Sequence, residues 1–521
     1  MQNLIGKFDA LAGIETENKF ARFLERIAFA FLILTFISAP HSIAATQIAW
    51  ITGMFAWFVR LFIKPRPKLV RTPLDIPLWA LFGWSVVSAI FSYAPDISID
   101  KLRIVALFLI FYFAINNLRT KRAAIFLAFA LIFSCMVNVV WTPIQRAIGR
   151  GVEIHEISEV SPLKIIGLTN GDALIKADGA KIGSPEDIIA KFADKETVEI
   201  EFYRPDFYQT IELKKADLLS GNTTAEKLGF ADWSKSHNWR SSGFYGHYAT
   251  YAEVLQLIAS LVFGIFIALL SFSTRRRGNA EEDFEKVFFM RHLKIILFIC
   301  LCGMNLALLL TVTRASQLAF MISAFAIVLL GGNRKIILIL TAIALPLIIG
   351  GLIFLQTSRN VGFFDSKDNS TMWREIVWRE GFDLWTQNPR HFIVGVGMDS
   401  QKRFAKQWHL FDDGRLPSGH FHSTPIQLVV ERGFPALLLW LWILFVYGRT
   451  LWRGIRDSKD ENSALSTQHS TLAKGVLLGC FGGMIGFFTS GLVHYNLGDS
   501  EVAMVFFLLM GLAVRIPQRD K

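Results

Sequence analysis

Runs of about twenty apolar residues, the length a helix needs to cross a bilayer core, recur along the chain between short polar links. They predict spans at roughly 27–44, 46–63, 75–93, 102–118, 123–142, 249–272, 294–312, 316–333, 336–355, 425–447, 474–490 and 500–515. Two longer polar stretches interrupt the series, Thr142–Tyr248 and Gln356–Thr424. Within the first, Val152–Glu156 and Val198–Arg204 alternate as strands do, Gly171-Asp172 and Asp178-Gly179 signal turns, and Pro185–Phe192 reads as a short helix.

Composition supports this reading. The chain has 521 residues, 52% hydrophobic and 19% charged, with a mean hydropathy of +0.40. Those values exclude disorder and a compact soluble enzyme. A net charge of +11 would suggest nucleic acid in a soluble protein, but here the cations sit in alternate links. Arg60/Lys64/Arg66/Lys68/Arg71, Arg119/Lys121/Arg122, Arg275/Arg276/Arg277, Arg334/Lys335, Arg449/Arg453/Arg456 and Arg515/Arg519 alternate with base-poor links such as Ser92–Asp100 and His494–Asp499. About twelve spans with both termini cytoplasmic satisfy the positive-inside rule, and no nucleic-acid partner is expected. Met1–Arg26 reads as a cytoplasmic lead-in rather than a secretory signal. The four cysteines lie in apolar stretches, with neither a disulfide framework nor zinc spacing.

The expected organisation is a lead-in 1–26, five spans in 27–144, an insert at 149–215, four spans in 249–355, a large outer loop 356–424, three spans in 425–515 and a cytoplasmic tail 516–521. The fold class is all-α polytopic, about 12 transmembrane helices, with a small α/β insert in an outer loop. The run Ser161–Gly179, with Val198–Arg204 and Gln209–Leu213, resembles the PDZ domain pattern, which implies a possible protein partner; no glycine-hydrophobic-glycine-hydrophobic loop precedes the first strand. A purely structural insert is the alternative.

Four outward-facing groups could carry chemistry: Arg240–His247, Thr311-Val-Thr-Arg314, the stretch from Trp373-Arg374 to Gly395-Val-Gly397, and His420-Phe-His422 through Gln427 to Glu431-Arg-Gly433. In this order and topology they resemble the O-antigen ligase and polymerase superfamily of bacterial surface polysaccharide assembly. Arg240 and Gly243 match its arginine before a helix start, and Thr311-Val-Thr313-Arg314 its Thr-x-Ser-Arg element with Thr for Ser. Arg374, Trp378, Pro389, Gly395 and Gly397 resemble its Arg–Trp, Pro–Gly-x-Gly stretch, His422-Ser423 with Glu431 and Gly433 its His block, and Asn496 and Asp499 are also similar.

The resemblance implies a GT-C-like, inverting glycosyltransferase of the bacterial inner membrane with a periplasmic site, requiring neither metal nor cofactor. It would move a saccharide from undecaprenyl diphosphate to an acceptor hydroxyl, lipid A–core in ligases. His422 and Arg314 are the catalytic candidates; Arg240, Arg314, Arg374, His420 and Glu431 are expected on the diphosphate or glycan. Chemistry agrees: arginine forks neutralise a leaving diphosphate, and a histidine suits the base for a hydroxyl. The blander readings are a snorkelling or Glu-paired Arg314, a solvated Arg240, a helix-start role for His422, and a Trp373/Trp378/Trp385 helix packed on the membrane surface. His420-x-His422 with His409, Asp412 and Asp413 lacks recognised metal-ligand spacing. A polymerase is the nearest rival function; a transporter or flippase, or a PDZ-bearing scaffold, are rivals from other classes.

Overall fold

The computed structural model describes residues 2–204, 207–271, 280–333, 335, 338, 369–416, 419–460 and 468–516. It divides into two compact units, one of Met1–Val137, Phe244–Leu308 and Thr313–Lys521, the other of Asn138–Gly243 and Leu309–Val312. In chain order the helices are α1 (Gln2–Ala12), α2 (Lys19–Ser38), α3 (Ile43–Arg60), α4 (Asp75–Ile90), α5 (Pro95–Val105), α6 (Leu109–Asn117) and α7 (Lys121–Ile148). After the second unit's short α8 (Pro162–Ile165), α9 (Pro185–Ala190) and α10 (Thr224–Leu228) come α11 (Tyr248–Ser271), α12 (Ala280–Leu310) and α13 (Arg314–Gly331). They are followed by α14 (Asn369–Thr386), α15 (Pro389–Val394), α16 (Ser400–Phe404), α17 (Phe411–Gly414), α18 (Thr424–Asp460), α19 (Gln468–Gly491) and α20 (Ser500–Arg515).

Among the described residues six helices are long and apolar enough to cross a membrane: Lys121–Ile148, Tyr248–Ser271, Phe288–Leu310, Arg314–Gly331, Thr424–Asp457 and His469–Gly491. The chain is therefore a multi-pass membrane protein; the described residues do not confirm the expected count of about twelve. Most of the other predicted spans form shorter, interrupted or more charged helices, and 46–63 is the 18-residue α3. Both α4 and α20 have 16 residues, about 24 Å at 1.5 Å per residue against a core of about 30 Å. The apolar run 102–118 is split between α5, a 3₁₀ turn at Ala106–Phe108 and α6. Lys19, Arg22, Glu25 and Arg26 occupy the first turns of α2. The predicted span 336–355 lies outside the described residues, apart from Leu338.

In the first unit α11, α13 and α19 pack together. Gly475, Gly479 and Gly483 recur every fourth residue on α19, and a Cβ on Gly264 of α11 would fall 2.1 Å from the Gly479 nitrogen. Small residues thus let the helix backbones touch, as membrane helices do where no hydrophobic effect drives them together. Gln256 donates to Ser323 Oγ at 3.1 Å, and Ser323 Oγ donates to the Gly482 carbonyl at 2.7 Å.

The second unit contains an antiparallel sheet in the order β5-β4-β2-β1-β6, with β3 paired to β2. Its strands are β1 (Arg150–Ile157), β2 (Ala173–Ala177), β3 (Ala180–Lys181), β4 (Thr197–Arg204), β5 (Phe207–Lys214) and β6 (Phe230–Ser236). Alternate residues Val198, Ile200 and Phe202 point into a core with Val152, Ile154 and Leu174. The sheet thus extends past residue 215 to β6, which is entered through Leu228-Gly229-Phe230, with Gly229 at φ +81°.

Candidate active site

The described site residues of the first unit are organised by a break in α18. At Gly433 the backbone turns to φ 73°, ψ 175°, a conformation essentially reserved for glycine, and Pro435 restarts the helix. The carbonyls the break exposes are all taken up. Val430 O accepts from Val396 N and Glu431 O from Gly397 N, each at 2.8 Å. Ser88 Oγ also donates to Glu431 O at 3.0 Å, and Trp84 Nε1 to Arg432 O at 2.7 Å. The fit is reciprocal. A Cβ on Gly395 (φ +78°) would lie 2.4 Å from the Glu431 carbonyl carbon, and one on Gly433 would lie 2.0 Å from Ile393 O.

The break turns Glu431 and Arg432 inward, 2% and 3% exposed. Glu431 Oε1 accepts from Gln427 Nε2 at 2.7 Å, Asp399 N at 2.9 Å and Gln401 Nε2 at 3.4 Å; Oε2 accepts from the Tyr495 hydroxyl at 3.4 Å. Arg432 donates to Tyr495 Oη at 3.0 Å and to Ser85 Oγ at 3.4 Å. Gln427 Oε1 in turn accepts from Phe421 N at 2.7 Å. One side chain therefore ties the histidine loop to Glu431.

In that loop the rings of His420 and His422 lie 4.0 Å apart, and the edge of Trp373 meets His422 at 4.4 Å. His422 has φ +46°, a strained backbone for a non-glycine residue. Its N–H donates to His420 Nδ1 at 3.3 Å, so His420 carries its proton on Nε2. Trp378 Nε1 donates to Phe421 O at 2.8 Å. The aromatic residues of α14 that face this loop are thus scaffolding for the histidines. Thr424 N and Oγ1 donate to His494 O at 3.0 and 3.1 Å, and Thr424 Oγ1 also meets Asn496 Oδ1 at 2.9 Å. Asp499 caps α20 and accepts from Thr250 Oγ1 at 2.5 Å.

Burial, then the nearby Lys402 charge, pushes His420 down to about 4. Burial, then the charges of His420, His494, Arg374 and His247, pushes His422 down to about 2. Both rings are neutral at physiological pH. Asp399 is moved up by burial, but Lys101 at 2.7 Å and Lys402 at 3.1 Å reverse this and hold it below the usual carboxylate range.

Beside the loop lies a cavity of about 140 Å³. Lys101, Asp399, Lys402, His420, Glu431, Arg432 and Tyr495 line its polar part; Leu78, Phe82, Phe108, Trp440, Ile443 and Phe506 are among its apolar residues. Such a lining suits an amphiphile with an anionic head. Sequence reasoning missed Lys101 on α5, Asp399 and Lys402 at the start of α16, and Tyr495 ahead of α20, and gave no role to Arg432 and Gln427 inside the block it had named.

The structure brings together His420, His422 and Glu431, with Arg374 close enough for its charge to act on His422. Arg314 opens α13, half-buried, after Val312 at φ +53°. Arg240 belongs to the second unit. It follows Trp239, whose ring lies 4.6 Å from the Arg150 guanidinium, and precedes Ser241, whose N–H donates to Leu310 O at 2.9 Å. His409 pairs with Asp413 at 2.6 Å.

Residues 295–441, from within α12 to past the break in α18, match the family described as O-antigen ligase. The resemblance to the O-antigen ligase superfamily stands for this stretch. The match takes in Arg314, Arg374, His420, His422 and Glu431 and leaves out Arg240. No curated protein matches the chain. An O-antigen ligase or polymerase type of function in polysaccharide assembly, with a lipid-linked glycan donor and a glycan acceptor, fits this family.

Proposed function

We propose that the protein is a metal-independent, inverting glycosyltransferase. It transfers a saccharide from undecaprenyl diphosphate to an acceptor hydroxyl, lipid A–core or a similar glycan, at the periplasmic face of the inner membrane. The observation that carries this reading is the neutral His420/His422 pair beside a cavity with a cationic head region and an apolar lining.

His422 is the base that takes the acceptor's proton, with His420 packed against it. Arg374 and Arg314 neutralise the leaving diphosphate, since planar guanidinium forks match its oxygens; Arg240 has this role on the resemblance alone. Glu431 acts as a positioning residue, because both its oxygens are engaged by the loops it joins. The polar part of the cavity suits the diphosphate and the apolar part the first isoprene units.

The test is transfer in vitro from an undecaprenyl-diphosphate-linked glycan to purified lipid A–core, with and without EDTA. His422→Ala is expected to insert normally and to lose about 10²-fold or more in transfer, the scale of losing a general base, while His420→Ala loses less. Full activity of His422→Ala, or EDTA inactivation reversed by a divalent metal, would overturn the assignment.

A further inference from the structure

A second cavity, of about 320 Å³, lies among the ends of α3, α6 and α20 and the links that follow α1 and α3. It is far from the histidines. Helix α20 starts beside Asp499, at the histidine end, and ends at Arg515; the first cavity reaches Phe507 and the second is lined by Arg515, so about 12 Å of this helix lies between them.

Five cations line the second cavity: Arg60, Arg66, Lys68, Arg119 and Arg515. Glu25 is its one carboxylate among the described residues, and that group is already used. Its Oε1 takes Arg60 Nε at 2.7 Å and its Oε2 takes Arg119 Nη1 at 2.8 Å, with Thr16 Oγ1 2.9 Å from both. Arg66 and Lys68 are exposed, and among the described residues neither has a carboxylate within salt-bridge distance. Retention of cations in links explains each of them singly. It does not explain why three separate links deliver their cations to one concavity where like charges repel.

The outer face of α3 and the turn beyond it carry an exposed apolar stripe. Phe55, Phe58 and Phe62, at helical spacing, are 67%, 53% and 64% exposed, and the stripe runs toward the cavity beyond Arg60. An excess of positive charge at the end of an uncovered apolar stripe matches one kind of ligand, a phosphate ester carrying acyl chains.

We propose that this cavity binds the phosphate of an anionic phospholipid, with its chains lying along Phe55, Phe58 and Phe62. Basic pockets between membrane helices hold anionic head groups through the same charge attraction. Arg60 and Arg119, fixed by Glu25, form the wall, and Arg66 and Lys68 close on the phosphate from the link.

The experiment uses the full chain in nanodiscs of phosphatidylcholine, with or without phosphatidylglycerol, and measures lipid retained after detergent exchange by native mass spectrometry. Wild type should retain phosphatidylglycerol over phosphatidylcholine. Each basic residue near the head group is worth about a five-fold change in affinity, so Arg66→Gln with Lys68→Gln should weaken phosphatidylglycerol binding about thirty-fold. Arg66→Lys, which keeps the charge, should retain most of it and shows that the link tolerates substitution. Equal phosphatidylglycerol retention by wild type and the double variant would overturn the proposal, as would equal retention of the two lipids. Millimolar inorganic phosphate displacing the lipid from wild type would assign the site to a free anion and overturn it as well.

Discussion

Replacing Gly395 or Gly433 with alanine tests whether the break in α18 is what builds the site. Both glycines have positive φ with ψ near 180°, a region that costs a residue with a side chain about 1–3 kcal/mol. Each new methyl would also strike the other segment's backbone, at 2.4 Å from Glu431 C in Gly395→Ala and 2.0 Å from Ile393 O in Gly433→Ala. Neither neighbour is a flexible side chain, so an overpacking cost of about 1–3 kcal/mol adds to the first. The total is about 2–6 kcal/mol, directed at the bonds that hold Glu431. Gly414 provides the control. It too has positive φ (+83°), but nothing lies within 4 Å of its would-be Cβ, so Gly414→Ala should cost only about 1 kcal/mol. Thermal unfolding of the purified protein in detergent should rank Gly414→Ala well above the other two, and transfer should fall further in those two than their stability alone explains. Gly395→Ala and Gly433→Ala unfolding with Gly414→Ala, at near-normal activity, would refute the interlock.

Two other outcomes are expected. If Arg314 grips the leaving diphosphate, Arg314→Ala should lower transfer by about 10²-fold and Arg314→Lys should not restore it, because a point charge lacks the planar fork; near-normal transfer by both variants would end that role. The histidine pair should make stability fall in acid. Since the folded value of His420 is about 4 against about 6.5 unfolded, its contribution is whole above pH 6.5 and is lost as pH falls toward 4. That loss amounts to about 3 kcal/mol for His420 alone, and a His420→Ala, His422→Ala double variant whose urea stability falls as steeply over that window would contradict it.

The membrane helices were legible because hydropathy needs no partner to be read. Six predicted spans correspond to long apolar helices. The run 425–447 read as one helix, and its break went unseen although Gly433 and Pro435, two residues apart, are its signal. The histidines were found from type and position, ahead of a helix start. Lys101, Asp399, Lys402 and Tyr495 were not, because hydrophobic periodicity carries no information about which distant segments meet. The sheet shows the same limit. β1 and β4 contain the two stretches that alternate, whereas β6 pairs with β1 from across the insert, and Phe-Ala-Asp-Trp-Ser-Lys-Ser alternates too weakly to mark a strand.

On the proposed reading the histidine pair raises a chemical question that the site itself answers. A base held near 2 accepts a proton poorly, however well it is placed. After burial, which is the largest cause, the groups that depress His422 are His420, His494, Arg374 and His247, and of these Arg374 carries a permanent positive charge. A diphosphate drawn to Arg374 would offset that guanidinium's share of the depression, and the developing negative charge on the leaving group would strengthen the offset as the glycosidic bond breaks, while the share due to burial stays. His422 would then be a stronger base with the donor present than without it, and the acceptor's proton would move in step with departure of the diphosphate. The acid-stability experiment repeated with a diphosphate-bearing donor analogue separates this from a merely buried pair. The loss between pH 6.5 and 4 shrinks if the donor's charge reaches the imidazoles, and an unchanged loss with the analogue bound would mean that it does not.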